Sequence, residues 1–431
     1  MTLAERLRSV VRSGASLSPG SPPRTPARRG EGSPGEPEGL APEACQNAAD
    51  VLGGQWRQWQ AHRYLVVDRK YLPGHRHGRV AVADSAPDAS GFWPTLGILD
   101  PAASGGRVVF LDLETTGLSG GAGTYAFLVG CGWFDAGTFR VRQFLLTGYA
   151  AERGLLEAVE ETVAGAGAIA TYNGKTFDLP IIETRCLLHR MATPFEGLAH
   201  VDLLHPARRL WKSDEARLAA MDASVLGHVR ENDVPGFEIP SRYFLYVRSG
   251  DPRPLEPVLE HNRLDLLSLA MLTARVARLL EQGPDAAGTA REALGLGRLY
   301  ERRGMLAEAR ACFARAAGPA AAEGETAGEV LTRAEALRGY AVLCRRAREH
   351  EAAADAWHQV LELSGCPPHL AREAREALAV HCEHRLRDFG AARRLAVESL
   401  RFGTSAARTQ AIRHRVARLD RKLNPNPIPF F

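Results

Sequence analysis

Asp112 and Glu114 are two residues apart at the end of an apolar run, residues 108–113, and Gly117 follows them. The β-branched and aromatic residues of the run predict a buried strand, and residues i and i+2 of a strand point to the same face. Residues 108–117 include no Lys or Arg, so two carboxylates on one face repel each other and gain most by sharing a divalent cation. The run therefore indicates either a cation site or acids that cap a turn or face water.

Two later segments carry polar residues of the same kind. Residues 168–182 predict a second buried strand, a glycine turn and a helix that begins near Asp178. Residues 257–280 predict a long helix with periodic apolar positions, on which His261 and Asp265 are four apart. Positions four apart share a helix face, so this helix presents a His and an Asp as a pair.

Taken in order, the three segments resemble a family of nucleases. Asp-x-Glu on a strand, Asn-x4-Asp at a strand-to-helix turn and His-x3-Asp on a late helix are similar to the three motifs of the DEDD 3′-to-5′ exonucleases, which have the ribonuclease H-like fold. Residues 108–280 more closely resemble the bacterial YprB-type ribonuclease H-like proteins, the group that includes mitomycin repair factor B. Segments 200–204, 208–211, 233–240 and 261–265 carry that closer resemblance.

The resemblance implies that four carboxylates hold two Mg²⁺ or Mn²⁺ ions: Asp112, Glu114, Asp178 and Asp265. The chemistry agrees, because hard cations take oxygen ligands from a few carboxylates and from substrate phosphates. Two ions about 3.5–4 Å apart can stabilise the attacking and the leaving oxygen of an in-line displacement at phosphorus.

By the same resemblance, His261 is the general base that takes a proton from the attacking water, and its ordinary pKa of about 6.5 suits that role. In the His-type branch of the family the His precedes the last Asp by five residues, whereas His261 precedes Asp265 by four, the spacing of the Tyr-type branch. The alternative is a structural histidine that bonds a backbone carbonyl. Thr115 and Asn173 are candidates for binding a substrate sugar or phosphate oxygen, with turn and cap chemistry as their alternative.

The predicted fold is an α/β ribonuclease H-like core, a mixed sheet flanked by helices, followed by an all-α domain of tetratricopeptide-like repeats. Two strands around the turn at 135–137, then a helix at 154–164 and the strand at 168–172, give the β-β-β-α-β order typical of this core. We predict a disordered segment (1–44), an N-terminal extension packed on the core (45–101, with a strand at 64–68), the core (102–282), the repeats (288–423) and a tail (424–431).

Beyond residue 280 the strand signals vanish, and small and aromatic residues recur at helical spacing. They form three units: Ala293, Leu296, Gly297 and Tyr300 with Ala309, Phe313 and Ala316; Leu337, Tyr340 and Ala341 with Ala353, Trp357 and Val360; and Ala379 with Ala392, Ala396 and Ser399. This is similar to the tetratricopeptide pattern, whose arrays form concave binding surfaces. Residues 391–423 hold nine Arg or Lys against two acidic residues, a stretch that could track phosphates or form a solvated helix face.

Composition sets the wider limits. A chain of 431 residues is too long for one compact core, and a net charge of +4 does not by itself indicate nucleic-acid binding. The sequence has no apolar stretch of membrane-spanning length and no signal-peptide core, and its seven cysteines show no Cys-x2-Cys spacing. We expect a cytoplasmic protein with free thiols, no membrane association and no structural zinc.

The predicted function is a divalent-metal-dependent 3′-to-5′ exonuclease that acts on DNA in preference to RNA, in a repair context. The alternatives are a catalytically inactive nucleic-acid or protein-binding module on the same fold, and an RNase, because sugar preference depends on contacts to the 2′-hydroxyl. The expected partners are nucleic acid and, on the repeats, a protein, for which the resemblance implies a DNA repair helicase.

Overall fold

The computed structural model describes residues 48–85, 106–117, 123–211, 217–318, 326–401 and 405–424, and all of these belong to one compact unit. The predictions for residues 1–44 and for the tail beyond residue 424 lie outside the described residues.

Seven strands form one mixed sheet. The described strands are β1 (Gln55–Trp59), β2 (His62–Tyr71), β3 (Arg76–His77), β4 (Val80–Ala81), β5 (Arg107–Thr115), β6 (Ala126–Asp135), β7 (Thr138–Leu145), β8 (Ala166–Thr171) and β9 (Ala199–Asp202). The sheet order is β1-β2-β7-β6-β5-β8-β9, and β3 and β4 make a separate hairpin. β5 is antiparallel to β6 and parallel to β8, which is parallel to β9. The mixed sheet of the predicted fold class is confirmed.

The N-terminal strands extend the sheet at its edge. β2 pairs antiparallel with β7, with Leu65 opposite Leu145, and β1 pairs with β2. Leu65, Val66 and Val67 are buried, so the strand predicted at 64–68 lies within a longer strand that shares the core of the sheet.

Helices cover both faces of the sheet. The helices of this part are α1 (Glu152–Val163), α2 (Asp178–Leu188), α3 (Leu204–Trp211), α4 (Leu218–Met221), α5 (Ile239–Ser249) and α6 (Glu256–Gln282). Alternate residues of β5 enter two cores: Val109 and Leu111 pack with residues of α1, α2 and α5, whereas Phe110 packs with the middle of α6. The predicted helix starting near Asp178 and the long helix at 257–280 are confirmed.

The chain beyond residue 288 is all-helical among its described residues, as the fold class predicted. Its helices are α7 (Ala290–Arg302), α8 (Leu306–Ala316), α9 (Ala327–Arg346), α10 (His350–Glu362), α11 (Pro368–His381), α12 (Phe389–Ser399) and α13 (Ala406–Leu423), and each packs on the next. A Cβ at Gly297 or Gly339 would lie within 3 Å of the Phe313 ring, so these glycines let α7 and α9 close on α8. None of the described helices combines the length and apolar character that a membrane crossing requires.

Candidate active site

Asp112 and Glu114 lie on the face of β5 that α6 covers. The strand places Asp112 opposite Gly130 of β6. Asn262 of α6 donates from Nδ2 to Asp112 Oδ2 at 2.8 Å, and its own Oδ1 accepts from Gln143 at 2.8 Å. A Cβ at Gly130 would overlap the Asn262 side chain, so a glycine there lets this buried amide lie against the strand and fix the Asp112 carboxylate.

Asp178 enters the site at the start of α2, just after the turn that follows β8. Asn173 adopts a left-handed conformation in that turn, with φ of 69°, which Asn tolerates better than most residues. The Asp202 carboxylate at the end of β9 accepts from the backbone N–H of Asn173 at 2.8 Å and of Lys175 at 3.2 Å. Asp202 therefore holds the turn from which α2 and its buried Asp178 begin.

His261 and Asp265 share one face of α6, as their spacing predicted. His261 Nε2 lies 3.5 Å from Asp265 Oδ2, and His261 Nδ1 lies 2.6 Å from Asp233 Oδ1. The hydrogen bond from His261 lowers the pKa of Asp233 against the opposing effect of burial. An ionised carboxylate only accepts, so Nδ1 carries the proton and donates to Asp233. His261 bonds a carboxylate, rather than the backbone carbonyl of its alternative structural role.

Arg230 is a buried cation that lies close to three carboxylates of the site. Its guanidinium lies 2.6 Å from Asp265 Oδ1, 2.7 Å from Asp222 Oδ2 and 3.4 Å from Asp233 Oδ2. Burial favours loss of the proton, but the charges of Asp265 and Asp222 outweigh it and hold the pKa of Arg230 above its usual range. Arg230 thus ties the helix that carries His261 to the loop that carries Asp233.

The N-terminal extension reaches the same network. His77 of β3 is 2 % exposed; its Nε2 lies 3.0 Å from Ser268 Oγ and 3.7 Å from Asp222 Oδ1. Ser268 Oγ in turn lies 3.3 Å from Arg230 Nη2. The N-terminal extension therefore contacts the charged network of the site through His77. Nothing in the sequence of the extension had indicated this contact.

The carboxylates act on one another. Burial, followed by the charges of Asp265, Glu114 and Asp178, raises the pKa of Asp112 well above its usual range. Burial raises the pKa of Glu114 to about 8 despite the opposing charge of His261, with Asp265 and Asp178 contributing. Burial, Asp202 and Asp265 raise the pKa of Asp178 to about 7. The four predicted acids are therefore close enough to share one electrostatic environment.

His261 is affected in the opposite sense. Burial favours its neutral form, but the hydrogen bond to Asp233 and the charges of Asp265 and Glu114 raise the pKa of His261 to about 9. At neutral pH the imidazole is then protonated, and a protonated imidazole donates rather than accepts. Its predicted role as a base requires that other positive charge first neutralise the carboxylates around it.

The fit to a divalent cation rests on the donor set. The site holds six carboxyl groups and two cationic side chains, Arg230 and His261, and carboxylate oxygens are the ligands that hard divalent cations prefer. The acids are Asp112, Glu114, Asp178, Asp222, Asp233 and Asp265. No three His, Cys, Asp or Glu side chains of the described residues are already arranged around a metal position. The donor atoms thus suit a divalent cation, and in this structure the Asp265 carboxylate is paired with Arg230.

The two predicted substrate-binding residues engage their own turns. Thr115 is buried, and its hydroxyl donates to the Gly117 carbonyl at 2.9 Å. The Asn173 side chain accepts from the Thr176 hydroxyl at 3.0 Å. Both contacts are the turn chemistry of the alternative role; binding of substrate oxygens by these residues stays a prediction.

Sequence reasoning missed Arg230, Asp233 and Asn262 as parts of the site. Asn262 stands directly after His261, and a polar residue in a long apolar helix is a signal that could have been read. Asp233 lies in a segment that carried the family resemblance. Arg230 had no signal, because it reaches the site from irregular chain between α4 and α5.

Comparison with known proteins agrees with this fold. Residues 109–277 match the RNase_H superfamily, and this span contains the four predicted acids and His261. The chain is 30 % identical over 368 residues to the protein named "Uncharacterized protein YprB" of Bacillus subtilis (strain 168), an alignment that covers 83 % of this chain and 86 % of that protein. The chain therefore belongs to the YprB family.

Proposed function

We propose that this protein is a divalent-metal-dependent nuclease that hydrolyses the phosphodiester bonds of nucleic acid. The observation that carries the proposal is the convergence of Asp112, Glu114, Asp178 and Asp265, from three separate segments, in one site where burial and the charge of Asp265 raise the pKa values of the other three. Clustered carboxylates with strongly shifted pKa values are typical of functional sites, and these lie in a domain that matches the RNase_H superfamily.

Each residue has a distinct task in this proposal. The four carboxylates hold Mg²⁺ or Mn²⁺, and Asn262 keeps the Asp112 carboxylate turned into the site through its hydrogen bond of 2.8 Å. The ions, when bound, supply positive charge for the attacking and leaving oxygens at phosphorus. Asp265 and Glu114, whose charges hold His261 in its protonated form, would be neutralised as ligands of such ions.

His261 is the proposed general base. Its Nδ1 donates to Asp233, and Nε2, which lies on the side of Asp265, would accept a proton from water once bound metal has neutralised the nearby carboxylates. Geometry supports the assignment, because the hydrogen bond fixes both the tautomer and the orientation of the ring.

The finer features of the proposal rest on the motif order. Removal of nucleotides from the 3′ end, two bound ions, a preference for DNA and a place in repair come from the likeness to the DEDD exonucleases. We further propose that α7–α13 are tetratricopeptide-like. The buried state of predicted small residues such as Ala293, Ala309, Ala341 and Ala392 supports this reading.

Cleavage of 5′-labelled single strands of DNA and RNA with the same sequence tests the proposal. The reactions contain Mg²⁺, Mn²⁺ or a chelator, and compare the wild type with Asp178→Asn. The matched control is Glu183→Gln, on the same helix. We expect a metal-dependent ladder that shortens from the 3′ end in the wild type and the control and disappears in Asp178→Asn.

The other outcomes discriminate among the alternatives. Internal cuts would overturn the exonuclease assignment, and cleavage of RNA alone would make the protein an RNase. Cleavage retained in Asp178→Asn would remove Asp178 from the metal site. No cleavage with either metal would contradict a nuclease and favour a binding module.

A further inference from the structure

Two helices carry four arginines where α7 packs on α3, and Arg209 of α3 lies near Arg302 and Arg303 of α7. Arg208 and Arg209 lie in the last turns of α3, and Arg302 and Arg303 lie at the end of α7. We call this group the junction patch. Arg208, Arg302 and Arg303 are exposed, and Arg209 is partly buried.

Close packing of the two helices brings the arginines together. A Cβ at Gly295 of α7 would lie 2.5 Å from the Arg209 carbonyl oxygen, so a glycine there lets the helices meet backbone to backbone. Trp211 Nε1 donates to Glu292 Oε1 across the same interface at 2.8 Å. Gly295 and Arg302 are seven residues apart, and positions with this separation share a helix face, so Arg302 lies on the side of α7 that faces α3.

Arg302 and Arg303 bring like charge close to Arg209. Burial and the charges of Arg302 and Arg303 lower the pKa of this guanidinium. Like charges held together are unfavourable and are relieved by an anion.

α3 connects the patch to the turn that precedes Asp178. α3 begins two residues after Asp202, whose carboxylate holds the turn of Asn173 and Lys175. Burial raises the pKa of Tyr172, the residue that precedes this turn, and the charge of nearby Arg208 opposes that rise. With a rise of 1.5 Å per residue, Arg208 and Arg209 lie about 6–8 Å along α3 from its first residue.

We propose that the junction patch binds the phosphodiester backbone of the nucleic-acid strand whose end occupies the candidate active site. Guanidinium groups match phosphate oxygens in charge and in hydrogen-bond geometry. The first helix of the C-terminal region then contributes directly to substrate binding. This inference rests on the proposed nuclease function and adds the path of its substrate.

Binding to a 5′-fluorescein single-stranded DNA of about 20 nucleotides tests the inference, measured by anisotropy with chelator present, between about 50 and 200 mM salt. The test variant is Arg209→Gln with Arg302→Gln in the full chain. The control, Arg394→Gln with Arg413→Gln, removes the same charge from α12 and α13. Because each phosphate contact on a single strand contributes about 0.7 to the slope of log Kd against log salt, we expect the test variant to reduce the slope by about 1.4 and to bind roughly tenfold more weakly, and the control to match the wild type.

Several results would overturn the inference: wild-type affinity and slope in the test variant, an equal loss in the control, competition by poly-glutamate as strong as by unlabelled DNA, or no DNA binding by the wild type. If the test variant melts at a lower temperature, Arg208→Gln and Arg302→Gln as single exposed changes replace it, each with an expected slope reduction of about 0.7. The cleavage assay, run with metal on the same preparations, separates failure of this inference from failure of the nuclease proposal.

Discussion

The environments of Asp112 and Glu383 differ in how their buried charge is balanced. Around Asp112 and Glu114, neighbouring acids and burial raise the pKa values, that of Glu114 to about 8. Around Glu383, hydrogen bonds from Arg418 and Lys422 overcome burial and lower the pKa of its fully buried carboxylate to about 2.

The comparison distinguishes Glu383, which stabilises the fold, from the acids of the site, which destabilise the fold of the metal-free chain. Balanced charge at Glu383 joins α13 to the turn before α12, so its removal should weaken the folded state. The unbalanced acids of the site disfavour folding of the metal-free chain, so their removal should cost activity but not stability. Strained clusters of this second kind are expected where chemistry needs them.

Asp112→Asn should show the largest effect. We expect cleavage to fall by on the order of 10²–10³-fold or more, the usual cost of losing one electrostatic group from a site. The free energy of unfolding in chelator should rise, because an amide at this position removes the buried charge and the repulsion by neighbouring acids that raise the pKa of Asp112. Cleavage kinetics and denaturant unfolding measure both. A loss of stability would place Asp112 with Glu383 among the structural charges.

Asp233→Asn should have a smaller effect on activity alone. We expect kcat to fall by on the order of 10–100-fold with little change in KM, because the His261 ring loses the partner that fixes it. Glu231→Gln, two residues earlier in the same loop, is the matched control. Added to His261→Ala, Asp233→Asn should cause no further loss; additive losses would show that Asp233 acts independently of His261.

Glu383→Gln should affect only stability. Leaving Arg418 and Lys422 without their buried partner should lower the free energy of unfolding by about 2 kcal/mol, less than for a fully buried pair because both cations are partly exposed. Cleavage of short strands should match the wild type. Glu362→Gln, an exposed acid at the end of α10, is the control, and an equal loss there would remove any special role from Glu383.

The pH dependence of stability tests the contribution of the Glu383 carboxylate. The pKa of Glu383 is lowered from 4.5 to about 2 in the folded state, so its stabilisation is present above pH 4.5 and is lost as the pH falls towards 2. The stability difference between the wild type and Glu383→Gln should therefore shrink between pH 5 and pH 2.5 in thermal melts. A constant difference would mean that the carboxylate charge is not the source of the stabilisation.

Much of the fold and part of the candidate site could be predicted from the sequence, because both follow from the periodicity of strands and helices. The alternating burial of β5 put Asp112 and Glu114 on one face, and helix spacing paired His261 with Asp265. The order of the motifs predicted the sheet. Arg230 and Asp233 could not be placed in the site, since they lie in irregular chain where no period relates sequence to space, and their partners on α6, Asp265 and His261, are distant in sequence. The addition of β1 and β2 to the edge of the sheet depends likewise on long-range pairing that strand propensity does not specify.

The most direct test of the central claim is the change in melting temperature of the full chain on adding Mn²⁺, compared between the wild type and Asp112→Asn with Asp178→Asn. A ligand that binds only the folded state stabilises it by about 2.7 kcal/mol at 100 times its Kd. If the acidic cluster is a cation site, Mn²⁺ should raise the melting temperature of the wild type, chelator should reverse the rise, and the double variant should not respond. No shift in the wild type, or an equal shift in the double variant, would contradict the claim.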